Sequence, residues 1–297
     1  MRIVVAGGSG FLGTALVDAW RREGHEVLVL TRRPRDEHQI AWTPGRGDAG
    51  WTSAIAGADA VVNLAGESIA AKRWTTARKA AIRDSRVRAT RALAAAIRQA
   101  DRPPAVFISA SGVGIYGPRG DEPITEDTPR SFDFLASVCS RWEAEALEAS
   151  SSTRVVLLRT GLVLSKDGGA LPQIALPFRF FAGGPLGSGR HYMSWIHLDD
   201  WVAMTRWAAT TSSVSGPLNL TAPHPVTNAE FTRALGHALG RPAFVPAPAF
   251  ALRLALGEMA DALLLTGQRV LPAKAQARGF RFRYERLEEA LRAIYTG

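Results

Sequence analysis

Residues 2–13 read RIVVAGGSGFLG, and this segment is the strongest indication of the fold of the N-terminal half of the chain. Its first five residues form a short apolar run, which is typical of a fully buried parallel strand. Residues 14–24 then carry apolar side chains at helical spacing. A strand, a glycine-rich turn and a helix in immediate succession are the setting in which a glycine motif indicates a dinucleotide-binding site.

The glycines explain why this turn suits a diphosphate. Gly7 and Gly10 lack a Cβ atom, so the backbone turns tightly and approaches a ligand, while Gly13 lets the helix pack closely on the strand. Free N–H groups and the helix dipole favour negative charge at the helix start. The alternative is a structural turn without a ligand. We predict diphosphate contacts at Gly7, Ser9, Gly10, Phe11, Leu12 and Gly13.

Composition and charge exclude several classes of protein. The 297 residues have the composition of a globular protein, with no bilayer-spanning segment and no signal peptide, so we expect a cytoplasmic protein without a membrane partner. The net charge is +9, but its arginines are scattered along helices, so we expect no nucleic-acid partner. The single cysteine, Cys139, excludes an internal disulfide, and no metal-ligand spacing occurs.

The end of the next apolar run, residues 26–31, predicts the coenzyme. An enzyme that selects NAD usually carries an acidic residue there, about 20 residues beyond the glycines, for the ribose 2′-hydroxyl. Here the chain reads Thr31-Arg32-Arg33, and the first acidic residue is Asp36. Because a guanidinium binds phosphate in a bidentate way, we predict NADP as the cofactor, with contacts from Thr31 and Arg32. Arg33 either stacks on the ligand or is a solvated surface charge.

Strand-like apolar runs alternate with helical patterns up to about residue 170, after which the rhythm changes. This alternation predicts an α/β fold with a doubly wound parallel sheet of the Rossmann type. We place the NADP-binding domain at residues 1–170, completed by about residues 196–226. A smaller, mostly helical substrate domain is expected at residues 171–195 and 227–297.

Four further stretches carry a resemblance to a known family. They are VNLAGESIAAKRW (62–74), FLASVCSRWE (134–143), GGPLGSGR (183–190) and GQRVLP (267–272). Together with GGSGFLG at 7–13, they make the whole chain similar to the "epimerase family" of the extended short-chain dehydrogenase/reductase superfamily. That family ends in a helical domain of unknown function, and some of its members bind NADP. The resemblance implies an NAD(P)-dependent oxidoreductase or isomerase.

The superfamily's catalytic device, Tyr-x-x-x-Lys on one helix, is missing. None of the four tyrosines is followed four residues later by a lysine. If Glu143 marks the acidic position that often follows the motif, Leu135 and Cys139 occupy the tyrosine and lysine positions, and neither does that chemistry. Ser111 matches the superfamily's helper serine, and Tyr116 matches a tyrosine that is usually not catalytic. Both are our catalytic candidates, the alternative for Tyr116 being a packing residue with its hydroxyl bonded to backbone.

Further cofactor contacts are predicted beyond the glycine turn. Leu64, Ala65 and Gly66 end a buried run and would let the backbone pass over the ribose and diphosphate at the carboxyl edge of the sheet. Arg86, on the long helix, is predicted to contact a phosphate or ribose. Val163 is predicted as a further cofactor contact.

Glu67, Lys72 and Arg190 are the candidate substrate contacts. Glu67 and Lys72 follow the buried run at 60–66, and Arg190 lies on a glycine-rich loop where it would hold an anionic group. Solvated surface charges are the alternative for all three. The favoured function is an NADP-dependent oxidoreductase or epimerase that acts on a small polar substrate. A nucleotide-linked sugar is one candidate for that substrate. We expect a monomer or a homodimer. The alternative is a non-catalytic module that senses the NADPH/NADP⁺ ratio.

Overall fold

The computed structural model describes residues 1–45 and 50–296. Its strands are β1 (Arg2–Ala6), β2 (Glu26–Thr31), β3 (Gln39–Ala41), β4 (Ala60–Asn63), β5 (Val106–Gly112), β6 (Pro123–Ile124), β7 (Arg154–Thr160), β8 (Leu162–Leu164), β9 (Tyr192–Met193), β10 (Trp195–His197), β11 (Gly216–Leu220), β12 (Val226–Thr227) and β13 (Arg269–Val270). Its α-helices are α1 (Phe11–Arg22), α2 (Gly50–Ala56), α3 (Thr76–Gln99), α4 (Phe134–Leu147), α5 (Leu171–Arg179), α6 (Leu198–Thr210), α7 (Asn228–Leu239), α8 (Ala249–Leu256), α9 (Glu258–Ala260), α10 (Ala273–Ala277) and α11 (Leu287–Thr296). A 3₁₀ turn covers Val113–Tyr116, and a π-helical turn covers Asp261–Leu265.

Within the described residues, seven strands form one sheet in the order β11-β7-β5-β4-β1-β2-β3, and all of its pairs are parallel. The chain builds the sheet outward from β1 in one direction and then returns to β4 to build the other half. The strand order therefore reverses between β1 and β4, which is where open α/β sheets bind ligands. The predicted doubly wound parallel sheet is confirmed.

Both faces of the sheet are covered, which explains the unbroken apolar run in β1. Ile3 and Val5 belong to one core with Trp20 of α1, whereas Val4 and Ala6 belong to a second core on the opposite face. Helices α1 and α6 contribute to the first core, and α2, α3 and α4 contribute to the second. A strand that is buried on two faces needs an apolar side chain at every position.

Neighbouring strands set the ends of β4 and β5. The sequence predicts a buried run over residues 60–66, but β4 stops at Asn63, whereas β5 continues to Gly112. Asn63 pairs with Ala6, the last residue of β1, so the β1–β4 ladder ends there. In contrast, β7 extends far enough to pair with Gly112.

The C-terminal region is mostly helical, as predicted, and its helices α7 and α11 pack together around Phe231 and Leu291. The domain boundaries placed at residues 170 and 227 stay predictions. No helix of the described residues combines the length and the apolar character that crossing a bilayer requires.

Candidate dinucleotide-binding site

The turn between β1 and α1 is built around glycines. Gly7 has a φ of +79°, and a Cβ added there would lie 2.7 Å from the carbonyl carbon of Leu64. A Cβ added at Gly13 would lie 2.6 Å from the Cα of Gly8 and closer still to the carbonyl oxygen of Gly7. No side chain fits at such distances, so both positions require glycine. Gly13 thus permits a close approach to the turn itself rather than to the strand.

The start of α1 is open to a negatively charged ligand. Gly10 is the N-cap, no side chain caps the helix, and its first turn has no acidic residue. Ser9 and Gly10 are exposed, and a Cβ added at Gly10 would meet only the carbonyl oxygen of Gly7, at 3.4 Å. The N–H groups and the positive end of the helix dipole are therefore uncovered, and this cradle fits a diphosphate.

The predicted contact Val163 lies near the first turn of α1. A Cβ added at Gly169 would lie 2.9 Å from the ring of Phe11 and 3.4 Å from the carbonyl oxygen of Val163. The structure thus brings the segment after β8 against Phe11. The Val163 side chain itself is buried, so a ligand would meet the backbone of this segment more readily than that side chain.

At the end of β2, Arg32 and Arg33 are exposed, and within residues 1–45 and 50–296 neither guanidinium has a hydrogen-bond or ion-pair partner. The nearest carboxylate in sequence is already used. Asp36 accepts hydrogen bonds from the N–H of His38 at 2.9 Å and from Nε2 of Gln39 at 2.8 Å. The edge of the sheet beside β2 therefore presents positive charge without a carboxylate to bind a ribose hydroxyl.

The chain after β4 is held rigidly beside Gly7. Leu64 donates its N–H to the carbonyl oxygen of Ala6 at 2.8 Å, and Ala65 donates its own to Oδ1 of Asn63 at 3.1 Å. Asn63 is fully buried and donates to Oγ1 of Thr90 at 2.8 Å. The predicted contacts Leu64, Ala65 and Gly66 therefore lie next to the glycine turn, as a shared ligand requires.

Arg86 points from α3 towards this same edge. Its guanidinium carbon would lie 3.2 Å from a Cβ added at Gly66, and it stacks on the Trp142 ring at 5.1 Å. Nη1 donates to the carbonyl oxygen of Ile82 at 2.9 Å. Burial lowers the pKa of Arg86, and no carboxylate of the described residues lies within ion-pair distance of it. The structure thus brings Arg86 to the predicted ligand edge.

A buried polar network connects the two catalytic candidates. Ser111 donates to Oε1 of Glu143 at 2.7 Å, and Arg159 binds both oxygens of Glu143, at 2.9 and 2.8 Å. Arg159 also donates to the hydroxyl of Tyr116 at 2.9 Å, and that hydroxyl donates to Oδ1 of Asn219 at 2.7 Å. Every polar side chain of this network therefore has a hydrogen-bond partner inside the protein.

Tyr116 is fully buried, and burial raises the pKa of its hydroxyl to about 12. Its hydroxyl is bonded to side chains, whereas our alternative interpretation placed it on backbone. Both features favour a structural role over proton transfer to a ligand, and the catalytic role of Tyr116 stays a prediction. Ser111 is 6% exposed, and its catalytic role also stays a prediction.

The helix α4 carries Leu135 and Cys139 on the side that faces the end of β5. A Cβ added at Gly114 would lie 3.1 Å from the Cβ of Leu135, and one added at Gly112 would lie 3.8 Å from the sulfur of Cys139. Neither side chain transfers a proton at neutral pH. Burial raises the pKa of the Cys139 thiol to about 11, which keeps it protonated.

Cys139 should therefore be nearly inert towards thiol reagents. At pH 8 a pKa of about 11 leaves roughly a hundredfold fewer thiolates than an ordinary cysteine has, so we expect labelling of the native protein to be at least that much slower than labelling after unfolding. Reaction with a chromogenic disulfide measures this rate. The control is the double variant Cys139→Ser, Arg141→Cys, whose thiol lies at an exposed position of the same helix and should react quickly. Fast labelling of native Cys139 would contradict its buried placement.

The candidate substrate contacts lie on two loops that are anchored to the C-terminal region. Glu67 is exposed and accepts from Nη1 of Arg78 at 3.0 Å, whereas Lys72 is exposed and has no hydrogen-bond or ion-pair partner in the described part of the chain. The neighbouring Arg73 donates to the carbonyl oxygen of Leu254 at 3.4 Å. The side chain of Arg190 is exposed, while its N–H donates to Oγ of Ser188. The substrate roles of Glu67, Lys72 and Arg190 stay predictions.

The glycine-rich loop at 183–190 is a packed structure. Val245 donates its N–H to the carbonyl oxygen of Gly183 at 3.0 Å, and Ala247 donates to that of Pro185 at 2.9 Å. A Cβ added at Gly184 would lie 2.5 Å from the carbonyl carbon of Val245, which explains the glycine. Among the described residues, no group of three or more His, Cys, Asp or Glu side chains is arranged to hold a metal ion.

Comparison with known proteins agrees with this geometry. The model of the NAD dependent epimerase/dehydratase family matches residues 3–220, and that of a domain of unknown function (DUF1731) matches residues 247–294. An epimerase family protein from Mycobacterium leprae is 44% identical over 291 residues, which cover 97% of this chain and 94% of the relative. The Arabidopsis thaliana relative, named as chloroplastic, is 43% identical over 302 residues, which cover 99% of this chain and 86% of the relative. The cytoplasmic location therefore stays a prediction.

Solved structures show the same fold. The crystal structure of the human epimerase family protein SDR39U1 (isoform 2) with NADPH has a TM-score of 0.91 and 37% identity, and the match covers 100% of both chains. The UDP-glucose 4-epimerase of Thermus thermophilus, in complex with NAD, has a TM-score of 0.75 and covers 100% of this chain and 98% of its own, at 18% identity. This second likeness shows the fold alone.

Proposed function

The chain belongs to the NAD-dependent epimerase/dehydratase family, and from that premise we propose that it binds NADP(H) and acts as an oxidoreductase or epimerase on a small polar substrate. One observation carries the choice of coenzyme. Arg32 stands exposed and unpaired at the end of β2, while Asp36, the first carboxylate beyond it, is engaged by His38 and Gln39. A free guanidinium at this place favours a 2′-phosphate. The human relative that was crystallised with NADPH supports the same choice.

In this proposal, each segment at the carboxyl edge of the sheet binds a different part of the coenzyme. The N–H groups of the turn at 7–13 hold the diphosphate, and Arg32 with Thr31 holds the 2′-phosphate. The backbone at Leu64–Gly66 and the segment at Val163 border the other half of the coenzyme. When bound, NADP(H) supplies or accepts the hydride.

Proton handling and substrate binding depend on fewer observations. Ser111 is the penultimate residue of β5, and its bond to Glu143 at 2.7 Å fixes the orientation of its oxygen. Lys72 and Arg190 are exposed cations that suit an anionic or strongly polar substrate. The proposed substrate is a small polar carbonyl compound or sugar, and a nucleotide-linked form is one candidate. This substrate class depends on the two cations.

Arg32→Asp tests the proposed coenzyme preference. Losing a charge-assisted contact and adding a repulsive charge should weaken NADPH binding by about a hundredfold and NADH binding by much less. Calorimetric titration with both coenzymes measures this difference, and Arg33→Asp is the matched neighbouring control, with a smaller expected effect. Equal losses for NADPH and NADH would show that Arg32 does not bind the 2′-phosphate.

A second function is favoured by the closed polar network. Because the hydroxyls of Ser111 and Tyr116 are both engaged inside the protein, the chain also fits a non-catalytic module that senses the NADPH/NADP⁺ ratio. NADPH incubated with a panel of carbonyl compounds and sugar nucleotides separates the two functions. Oxidation of NADPH supports the enzyme, whereas silence across the panel with tight binding of NADPH supports the sensor. Equal affinity for NADPH and NADP⁺ would remove the sensor, because such a ligand shifts no equilibrium.

A further inference from the structure

Arg86 carries a positive charge that its surroundings do not neutralise. Its guanidinium is fixed on two sides, by the carbonyl oxygen of Ile82 at 2.9 Å and by the ring of Trp142 at 5.1 Å. It also lies against Gly66, the residue at which a Cβ would come within 3.2 Å of Cζ. A guanidinium cannot lose its proton in a protein, so the charge at this place is permanent.

The nearby anions are all committed to other cations. Glu67 is paired with Arg78 at 3.0 Å, and on α3 itself Asp84 is paired with Arg83 at 2.7 Å. On α4, Glu143 is paired with Arg159.

The remaining acidic neighbour, the thiol of Cys139, is kept protonated by its burial, which raises its pKa to about 11. The net charge that Arg86 presents to the sheet edge is therefore close to a full positive charge.

The position of Arg86 in the fold indicates which half of the coenzyme would lie near it. A dinucleotide lies across the reversal of strand order, with its diphosphate at the turn after β1. Arg32, after β2, belongs to the half that binds the adenosine phosphate in the proposed function. Arg86 contacts the chain after β4 and helix α4, which connects to β7, and both lie on the opposite side of β1 from β2. In the proposed binding mode, that side receives the nicotinamide half.

We propose that Arg86 is a specificity-determining residue which makes the chain bind NADPH more tightly than NADP⁺. The inference rests on the proposed binding of NADP(H). The two coenzymes share their adenosine, phosphates and ribose groups, and they differ mainly by the positive charge on the oxidised nicotinamide ring. A fixed cation on that side repels the oxidised ring and leaves the reduced ring unaffected. This gives the site a preference for the reduced coenzyme, which a sensor of the NADPH/NADP⁺ ratio requires and which favours reduction reactions that begin with bound NADPH.

The test compares the ratio of the two dissociation constants, Kd(NADP⁺)/Kd(NADPH), among variants. We expect a ratio of about five or more for the wild-type chain, a drop of about fivefold in Arg86→Gln, and a ratio close to wild type in Arg86→Lys, which keeps the charge. Arg91→Gln is the matched control, because Arg91 lies on the same helix in an exposed pair with Glu145 and should leave the ratio unchanged. Calorimetric titration gives both constants, and a thermal unfolding curve checks that each variant is folded.

Three results would overturn the inference. A wild-type ratio of one or less would do so without any variant. Equal weakening of both coenzymes in Arg86→Gln would show that Arg86 binds a phosphate or ribose and does not discriminate the redox state. Failure of the wild-type chain to bind either coenzyme would remove the proposed function as well, whereas the first two results leave that function intact.

Discussion

Replacement of Gly7 by alanine should abolish NADP(H) binding, with a loss of affinity of roughly a hundredfold or more. The new Cβ would lie 2.7 Å from the carbonyl carbon and 2.8 Å from the carbonyl oxygen of Leu64, and both are backbone atoms that cannot rotate away. The turn would have to move away from β4. That movement would displace the N–H groups that hold the diphosphate, and it would displace the chain at Leu64–Gly66 as well.

Gly24→Ala is the matched control for this variant. Gly24 has the same φ of +79°, but nothing lies within 4 Å of a Cβ added there. Both substitutions therefore place alanine in a left-handed conformation, at a cost of about 1 kcal/mol, and only Gly7→Ala adds a clash. Calorimetric titration with NADPH, together with urea unfolding, separates the effects. Near-normal binding by Gly7→Ala would mean that the coenzyme does not depend on this turn.

The sequence predicts this half of the site well because its determinants are local. The strand, the turn and the helix lie within residues 2–22, so their spacing is set by adjacent peptide units. Arg32 could be found in the same way, since its place at the end of β2 follows from the length of one strand. The sequence predicts a ligand contact at Arg86 from its position on a long helix, but the stacking on Trp142 that holds its guanidinium in place does not follow from that position.

The polar network could not be predicted because its members come from distant parts of the chain. Four residues, Tyr116, Glu143, Arg159 and Asn219, meet only when the 3₁₀ turn after β5 is packed against α4, β7 and β11. One signal was present in the sequence: Arg159 ends the apolar run RVVLLR at 154–159, and a charged residue in a buried strand requires a partner. The identity of that partner depends on the strand order, which local patterns do not give.

Glu143→Gln should lower the free energy of unfolding by about 3–5 kcal/mol. The substitution keeps the volume of the side chain but leaves the guanidinium of Arg159 buried without a counter-charge, since Glu143 accepts from both Nε and Nη2 of Arg159. Both residues are less than a tenth exposed, so water cannot replace the lost carboxylate. The hydrogen bond from Ser111 also weakens, because its acceptor is no longer charged. Urea unfolding followed by tryptophan fluorescence measures the change.

Two further variants show whether the burial of Glu143 and Arg159 causes the expected loss of stability. Glu145→Gln removes an ion pair from the same helix, but its partner Arg91 is mostly exposed, so the free energy of unfolding should stay close to the wild-type value. The double variant Glu143→Leu, Arg159→Met removes both buried charges, and it should recover much of the stability that Glu143→Gln loses. Equal effects of Glu143→Gln and Glu145→Gln would contradict the buried network.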